Sequence, residues 1–439
     1  MSRAKQAETT TGQSRREFLK KTGAVAGAAA VGSLSIARGA HAAGKGGFKF
    51  GLIGCGGRGS GAAVNAMNAG EDIKLVAMAD IFADKLQGSR ARLKKVKPNQ
   101  VEVADDHCFV GFDAYKKVLA SDIDVVLIAA SSHFHPAYLK AAVDAGKHVF
   151  CEKPHSLDVP GIKRVGVICE EAKKKGLSVV SGLCWRYSPV VQETVKRIHD
   201  GAIGDIVTIQ ENYVSSPYRI ITRDPKWSEM EWQFRNWYHM NWLAGDQCHQ
   251  QLIHSIDKGA WLMHDKPPVD AWGMGGRAAC FGGPFGDIFD HQAVVFEYEN
   301  GVRMYGLCRN QLGTWRETTD TIFGTKGSAS LTRGRINGAN EWRYDGPKKS
   351  MTDMEQKALF DSIRAGKPIN CGTYMVGSSM LAILAQMVCN TGQRITWEKA
   401  MTSQLSFELP RYGFDVEPPI KPESDGNYAI PIPGITKFV

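Results

Sequence analysis

Six residues, Gly54-Cys55-Gly56-Gly57-Arg58-Gly59, constrain this chain more than any other stretch. A short β-forming run, Phe48 to Ile53, leads into them, and a small-residue segment, Ser60 to Asn68, reads as the helix that follows. A lone G-x-G-x-x-G is weak evidence. Between a strand and a helix, with an acid beyond, it specifies a turn that binds a dinucleotide. Gly54 permits the tight turn, Gly56 and Gly57 let backbone approach a pyrophosphate, and Gly59 lets helix and strand pack closely. The acid is Asp80, 24 residues past Gly56, at the end of a second strand-like run, Lys74 to Ala79. A carboxylate there accepts both ribose hydroxyls and repels a 2′-phosphate, so NAD is expected over NADP. Arg58 and Arg90 are the two cations that work against that preference.

The alternation continues. Asp84 to Lys95 is helical, Val125 to Ala129 a buried strand, Ala137 to Ala145 a helix, and Val149 to Cys151 a further strand. This is a βαβ pattern with a parallel sheet, a Rossmann dinucleotide-binding domain over residues 48–182. Beyond Gly182 the texture changes. Ile206–Tyr213, Ala293–Tyr298, Arg303–Cys308, Asp320–Phe323 and Ser328–Leu331 are strand-like and follow one another through turns such as Asn300-Gly301. That predicts an α+β domain over residues 183–409 with a mostly antiparallel open sheet. Met354–Ala365 and Ser378–Asn390 read as late helices, and 410–439 as an extended tail wrapping this surface or a neighbouring subunit.

Ahead of the glycine turn, Ser14-Arg15-Arg16-Glu17-Phe18-Leu19-Lys20 precedes an Ala- and Gly-rich apolar stretch, Gly23–Ile36, and a small-residue site, Ala40-His41-Ala42. In that order these parts make residues 1–42 a twin-arginine (Tat) export signal. The expected location is the periplasm, with the Tat translocase as a transient partner; an uncleaved signal would leave the protein tethered to the membrane. The segment carries seven basic residues (Arg3, Lys5, Arg15, Arg16, Lys20, Lys21, Arg38) against Glu8 and Glu17. Of the formal net charge of +9, the rest of the chain therefore keeps +4, too little to argue for nucleic acid. Ten cysteines without a C-x-x-C spacing, several inside apolar runs, suit buried thiols better than a disulfide framework.

Glu152-Lys153-Pro154 falls at the carboxyl end of a strand, where open α/β sheets place their ligands. A lysine held in such a cleft donates to a substrate oxygen or, if desolvated, loses its proton near neutral pH. The glycine turn, the Ala130-Ser131-Ser132-His133-Phe134-His135-Pro136 segment, Glu152-Lys153-Pro154 and His254-Ser255-Ile256-Asp257 occur in the order seen in the Gfo/Idh/MocA oxidoreductases. The resemblance runs from about Phe48 to about Lys399, and its most specific element is the E-K-P motif. It implies an NAD(P)-dependent enzyme acting on CH–OH groups of sugars, cyclitols or related polyols, and a homo-oligomer formed through the C-terminal sheet. By position, Lys153 is similar to the family's catalytic lysine, and Glu152, Ser132 and His135 to residues on the cofactor side. Arg186 and Tyr187 resemble substrate-binding residues, His254 the catalytic histidine, and Asp257 its partner one turn on.

The chain departs from the family at Gln250, where an aspartate usually precedes the histidine by four residues. The amide keeps hydrogen bonding but lacks the charge that would raise the basicity of His254; Asp246 and His249 are the nearby substitutes. His239, His249 and His254 also invite a metal reading, but the spacing of the last two suits one helix face badly, and no metal is expected. Trp227, Trp232, Trp237, Tyr238 and Trp242, mixed with Arg219, Arg223 and Arg235, read together as a substrate-pocket wall for sugar rings, with Trp237 foremost. The leading expectation is an exported NAD-dependent oxidoreductase with a tightly held, recycled cofactor. A glycoside hydrolase or lyase working by transient oxidation comes second, and a non-catalytic NAD- or sugar-binding protein third.

Overall fold

A computed structural model describes residues 47–437; the export signal expected at 1–42 lies outside the described residues. Six strands form the first sheet: β1 (Phe48–Ile53), β2 (Ile73–Asp80), β3 (Cys108–Val110), β4 (Val125–Ile128), β5 (His148–Cys151) and β6 (Val179–Ser181). Their order is β3-β2-β1-β4-β5-β6 and every pairing is parallel. Helices α1 (Gly57–Asn68), α2 (Ala83–Val96), α3 (Ala114–Ala120), α4 (His135–Asp144) and α5 (Val159–Lys174) make the crossovers. With helices on both faces a central strand is apolar on both sides, and all four residues of β4 are buried. The strand order reverses between β1 and β4, which opens a crevice at their carboxyl ends.

After α6 (Pro189–His199) the chain builds a second, nine-stranded sheet. Its strands are β7 (Ile206–Ser215), β8 (Asp270–Gly276), β9 (His291–Glu297), β10 (Arg303–Asn310), β11 (Glu317–Gly324), β12 (Gly327–Ser330), β13 (Arg335–Gly338), β14 (Trp342–Arg343) and β15 (Ile395–Thr396). The order is β14-β13-β12-β11-β7-β10-β9-β8-β15. The sheet is mixed: β7 and β10 run parallel at its centre, and the other pairs are antiparallel. Strand β10 alternates buried and exposed positions, the signature of a sheet covered on one face. Covering it are α8 (Ile253–Leu262) and α10 (Gly372–Thr391), while Met274, Leu307 and Trp315 remain exposed. Between β7 and α8 lies the short α7 (Glu229–Arg235), and before α10 comes α9 (Met351–Arg364).

Two features tie the halves together. Helix α10 is long and apolar enough to cross a membrane, but 78% of that stretch is buried, against both α5 and β8. The tail crosses back over the first domain: Tyr412 bonds the His133 ring at 2.6 Å and Phe414 stacks on Phe82 at 5.4 Å. Inside the second half, the fully buried ammonium of Lys258 joins α8 to β7 and β11 through Glu211 (2.6 Å) and Asp320 (3.3 Å). All ten cysteines are free thiols, nine of them buried.

Candidate active site

The glycine turn is shaped by its own backbone. Gly54 has φ +94°, and a Cβ there would meet the Ala129 carbonyl at 2.5 Å. A Cβ at Gly59 would lie 1.9 Å from the Gly54 oxygen, so α1 approaches β1 as closely as backbone allows. Gly56 and Gly57 are exposed, with nothing within 4 Å of a built Cβ. No side chain caps α1 and no acid sits in its first turn, so its leading N–H groups and positive dipole end suit a phosphate. A groove of about 690 Å³ runs from this turn past the end of β2. Asp80 borders it, with one carboxylate oxygen accepting from Cys55 N (2.7 Å) and the other from Phe82 N (2.9 Å). Burial raises the pKa of this carboxyl, against the pull of those two N–H donors. Each oxygen retains a lone pair for a ribose hydroxyl. Groove, open glycine edge, uncapped helix and acid together fit a dinucleotide. The two cations that opposed NAD are engaged by protein groups: Arg58, which lines the groove, donates through Nε to Glu152 at 2.5 Å, and Arg90 bonds Asp105 (2.6 Å) and the Val103 carbonyl (2.6 Å).

At its inner end the groove shares Arg58, Ala129, Ala130, Tyr218, Trp237 and Tyr238 with a smaller cavity of about 220 Å³. Lys153, His254, Gln250, Ser132 and Glu152 line that cavity. Lys153 leaves the end of β5 through a cis peptide to Pro154, and its ammonium donates to the Gln250 carbonyl. Burial lowers its pKa to about 8, with the Glu152 charge opposing. His254 opens α8 just after a π-turn, Cys248–Leu252; such turns recur at functional sites. Burial first, then the cations of Lys153, Lys258 and Arg58, hold its pKa well below the usual imidazole value. Its buried Nδ1 has no hydrogen-bond partner among the described residues. The Gln250 amide donates to the Ala244 carbonyl (2.5 Å) and Ser132 Oγ (3.2 Å). A carboxylate at this place would face a carbonyl oxygen, so the local backbone favours an amide where the family usually carries an acid.

Several expected partners lie elsewhere. Asp257 does not pair with His254. It is fully buried, and its oxygens accept from Arg186 Nε (2.9 and 3.1 Å) and Ser378 Oγ (2.7 Å), because a buried carboxylate needs a cation and hydrogen bonds. The same ion pair removes Arg186 from the substrate wall: its guanidinium also bonds Asp265 (2.5 Å) and lies over Tyr374 at 4.1 Å. Tyr187 likewise faces Cys371 and Tyr374 rather than the cavity. His135 is buried between the carbonyls of Pro154 (2.6 Å) and Ala130 (3.0 Å), so it clamps two site turns instead of lining the cofactor side. Asp246 accepts from Cys248 N (2.8 Å) and from the Gln292 amide, and the His249 ring packs against Gly245; neither replaces the family acid at the cavity. Among the described residues no three His, Cys, Asp or Glu side chains converge as metal ligands.

The aromatic segment divides. Trp232 and Trp242 are core residues, and the Trp242 indole donates to Gln233 at 2.7 Å. Trp237 and Tyr238 reach the cavity; Trp237 stacks on Tyr238 at 3.8 Å, and Tyr238 on Tyr218 at 3.9 Å. Tyr213, Tyr218, Cys184, Thr352 and Glu355 also line it and were not foreseen. No motif marks them. Tyr213 lies on β7 in a run legible as a strand, but its direction depends on how that sheet docks.

Comparison with known proteins agrees with this geometry. Residues 48–181 match the oxidoreductase family with an NAD-binding Rossmann fold, and residues 195–375 match that family's C-terminal α/β domain. The chain is 29% identical over 229 residues to a levoglucosan dehydrogenase of Pseudarthrobacter phenanthrenivorans, covering 47% of this chain and 55% of that one. It is 27% identical over 222 residues to an inositol 2-dehydrogenase of Rhizobium meliloti, covering 50% and 56%. The alignments thus span little more than half the length of these curated relatives. Among solved structures, the aldose–aldose oxidoreductase of Caulobacter crescentus shares the fold at TM-score 0.62 and 17% identity, over 80% of this chain and 99% of that one. A levoglucosan dehydrogenase solved with NADH and levoglucosan superposes with the same score, identity and coverage. With its glycine groove, its E-K-P turn and both domains matched, the chain belongs to the Gfo/Idh/MocA oxidoreductase family.

Proposed function

We propose that this protein is an NAD-dependent oxidoreductase that oxidises a CH–OH group of a sugar, cyclitol or related polyol. The observation that carries this reading is the junction of groove and cavity: His254 and Lys153 line the cavity at the end of the cofactor groove, and burial lowers the pKa of both. NAD bound in the groove supplies the hydride acceptor. His254 takes the hydroxyl proton, since burial keeps its ring unprotonated at neutral pH. Lys153, held by the Gln250 carbonyl, donates to the same oxygen as negative charge develops there. Tyr238, stacked between Tyr218 and Trp237, fills the wall of the cavity with them, and the outer rings are the ones with a face for ring C–H groups. The names of the relatives, dehydrogenases of levoglucosan and inositol, support a polyhydroxy ring as substrate.

Two further features support a cofactor kept through turnover. Both ends of the segment from Tyr218 to Tyr238 border the groove, and Arg235 lies on Phe82, another groove residue, at 4.0 Å. The twin-arginine signal read at 14–20 supports export to the periplasm of a protein folded with its cofactor. The exposed face of the second sheet supports a homo-oligomer. A second reading, elimination or hydration by transient oxidation, is favoured by one relative, a 2,7-anhydro-N-acetylneuraminate hydratase of Escherichia coli, 26% identical over 244 residues. The test is to purify the protein without added nucleotide, assay the released nicotinamide, and follow its reduction by levoglucosan, myo-inositol and aldoses. Co-purified NAD reduced by a polyol is the expected outcome. Product release without net reduction would favour elimination, and a protein that neither carries nor binds NAD would end the proposal.

A further inference from the structure

Glu355 is the buried group that the proposed chemistry leaves unused. It stands on α9 three residues after Thr352, a spacing that puts both on one helix face, and both line the cavity with Lys153 and His254. The residue is 1% exposed, and neither carboxylate oxygen has a hydrogen-bond partner among the described residues. Arg58 Nη2 lies 3.6 Å from Oε1, beyond a hydrogen bond, and Arg58 Nε is already engaged by Glu152. Burial and the Glu152 charge push the Glu355 pKa well up, with Arg58 opposing. Helix α9 is fixed in this orientation by the amides of Asn65 (2.7 Å) and Asn68 (2.9 Å) on Asp353 and by Arg364 on Asp72 (2.8 Å). A carboxyl group buried with one guanidinium near it and no hydrogen bond costs stability, and such groups call for an explanation.

We propose that Glu355 is a substrate-binding residue: its carboxyl takes a second hydroxyl of the polyol while Lys153 and His254 hold the one to be oxidised. The site then selects polyhydroxy rings over simple alcohols. A cavity of about 220 Å³ has room for one such ring. This assignment rests on the oxidoreductase reading for its substrate class, and the experiment separates the two.

Calorimetric binding of levoglucosan, myo-inositol and glucose to the NADH-loaded protein is compared for wild type, Glu355→Ala and Glu355→Gln, alongside NADH affinity, turnover and thermal unfolding. Glu355→Ala is expected to weaken the bound polyol roughly 10- to 100-fold, with NADH affinity and thermal stability not reduced. Glu355→Gln, which keeps a donor and an acceptor, should fall between. Polyol binding that depends on Glu355 without any turnover upholds the assignment and removes the oxidoreductase reading. Turnover and affinity unchanged in Glu355→Ala overturn the assignment and leave that reading standing. Wild-type protein that binds none of the three overturns the assignment, as does a loss of thermal stability with unchanged affinity, the mark of a purely structural carboxyl.

Discussion

The glycine turn and the histidine segment each open a helix at the same site, yet they are built on different principles. Residues 54–59 work through backbone: a positive φ at Gly54, a close approach at Gly59, an open edge at Gly56 and Gly57. Residues 246–257 work through partners from far along the chain: Ser132 on the Gln250 amide, Lys153 on the Gln250 main-chain carbonyl, Arg186 and Ser378 on the Asp257 carboxylate. The difference teaches that one site can be half local and half assembled. Motif reading is reliable for the first half. For the second it names residues without their partners.

The most severe way to strain this contrast is Lys153→Met. Turnover is expected to fall ~10²–10⁴-fold while NADH affinity, a property of the backbone half, stays within about twofold. The pH profile carries the sign. The pKa of His254 lies well below the usual imidazole value, so its basic form persists through neutrality. Lys153 loses its charge as pH rises through about 8. Oxidation measured as kcat/KM should therefore be level through neutrality and fall above about pH 8 in wild type, and Lys153→Met should lack that limb. A rise through the same window would give the two residues exchanged roles.

Next in size is Asp257→Ala. Removing this partner of Arg186 leaves a buried cation with Asp265 alone and costs about 3–5 kcal/mol, measured by urea unfolding, with the shape of the pH profile unchanged. Retained stability with a shifted profile would restore the pairing with His254 that the i, i+3 spacing suggested. The smallest effects separate two glycines of one motif. Gly59→Ala places a Cβ 1.9 Å from backbone oxygen and should cost about 1–3 kcal/mol along with NADH binding. Gly56→Ala meets nothing within 4 Å, so stability should hold to within about 0.5 kcal/mol while NADH binding weakens. Equal loss of stability in both would mean that Gly56 shapes the fold as well.

Much of the first domain could be read directly. The apolar run at Val125–Ile128 and the polar helix at Ala83–Val96 are patterns set by burial on two faces or one. In the second domain the antiparallel hairpins were legible, but the parallel β7–β10 pair at the centre was not, since nothing local distinguishes a strand's direction. Strand β8 went unseen because Gly273, Gly275 and Gly276 dilute its β signal; Gly273 and Gly275 lie tight against the neighbouring strand. Helix α9 begins three residues earlier than its apolar pattern suggested, and that first turn carries Thr352 to the cavity. Arg186 misled for the opposite reason. Its position matches the family's arginine that follows the first sheet, and only the fold shows Asp257 and Asp265 already holding it.

By itself the sequence determined the kind of cofactor site, the order of the two domains and the presence of Lys153 and His254, because strand period, glycine torsions and motif spacing are properties of short stretches of chain. The tertiary structure decided which charges are spent in ion pairs, why an amide suits position 250, and that Glu355 is left facing the cavity. Those outcomes depend on desolvation and on partners from distant segments. A side chain's protonation and direction are set by what is packed around it, and no local pattern records that.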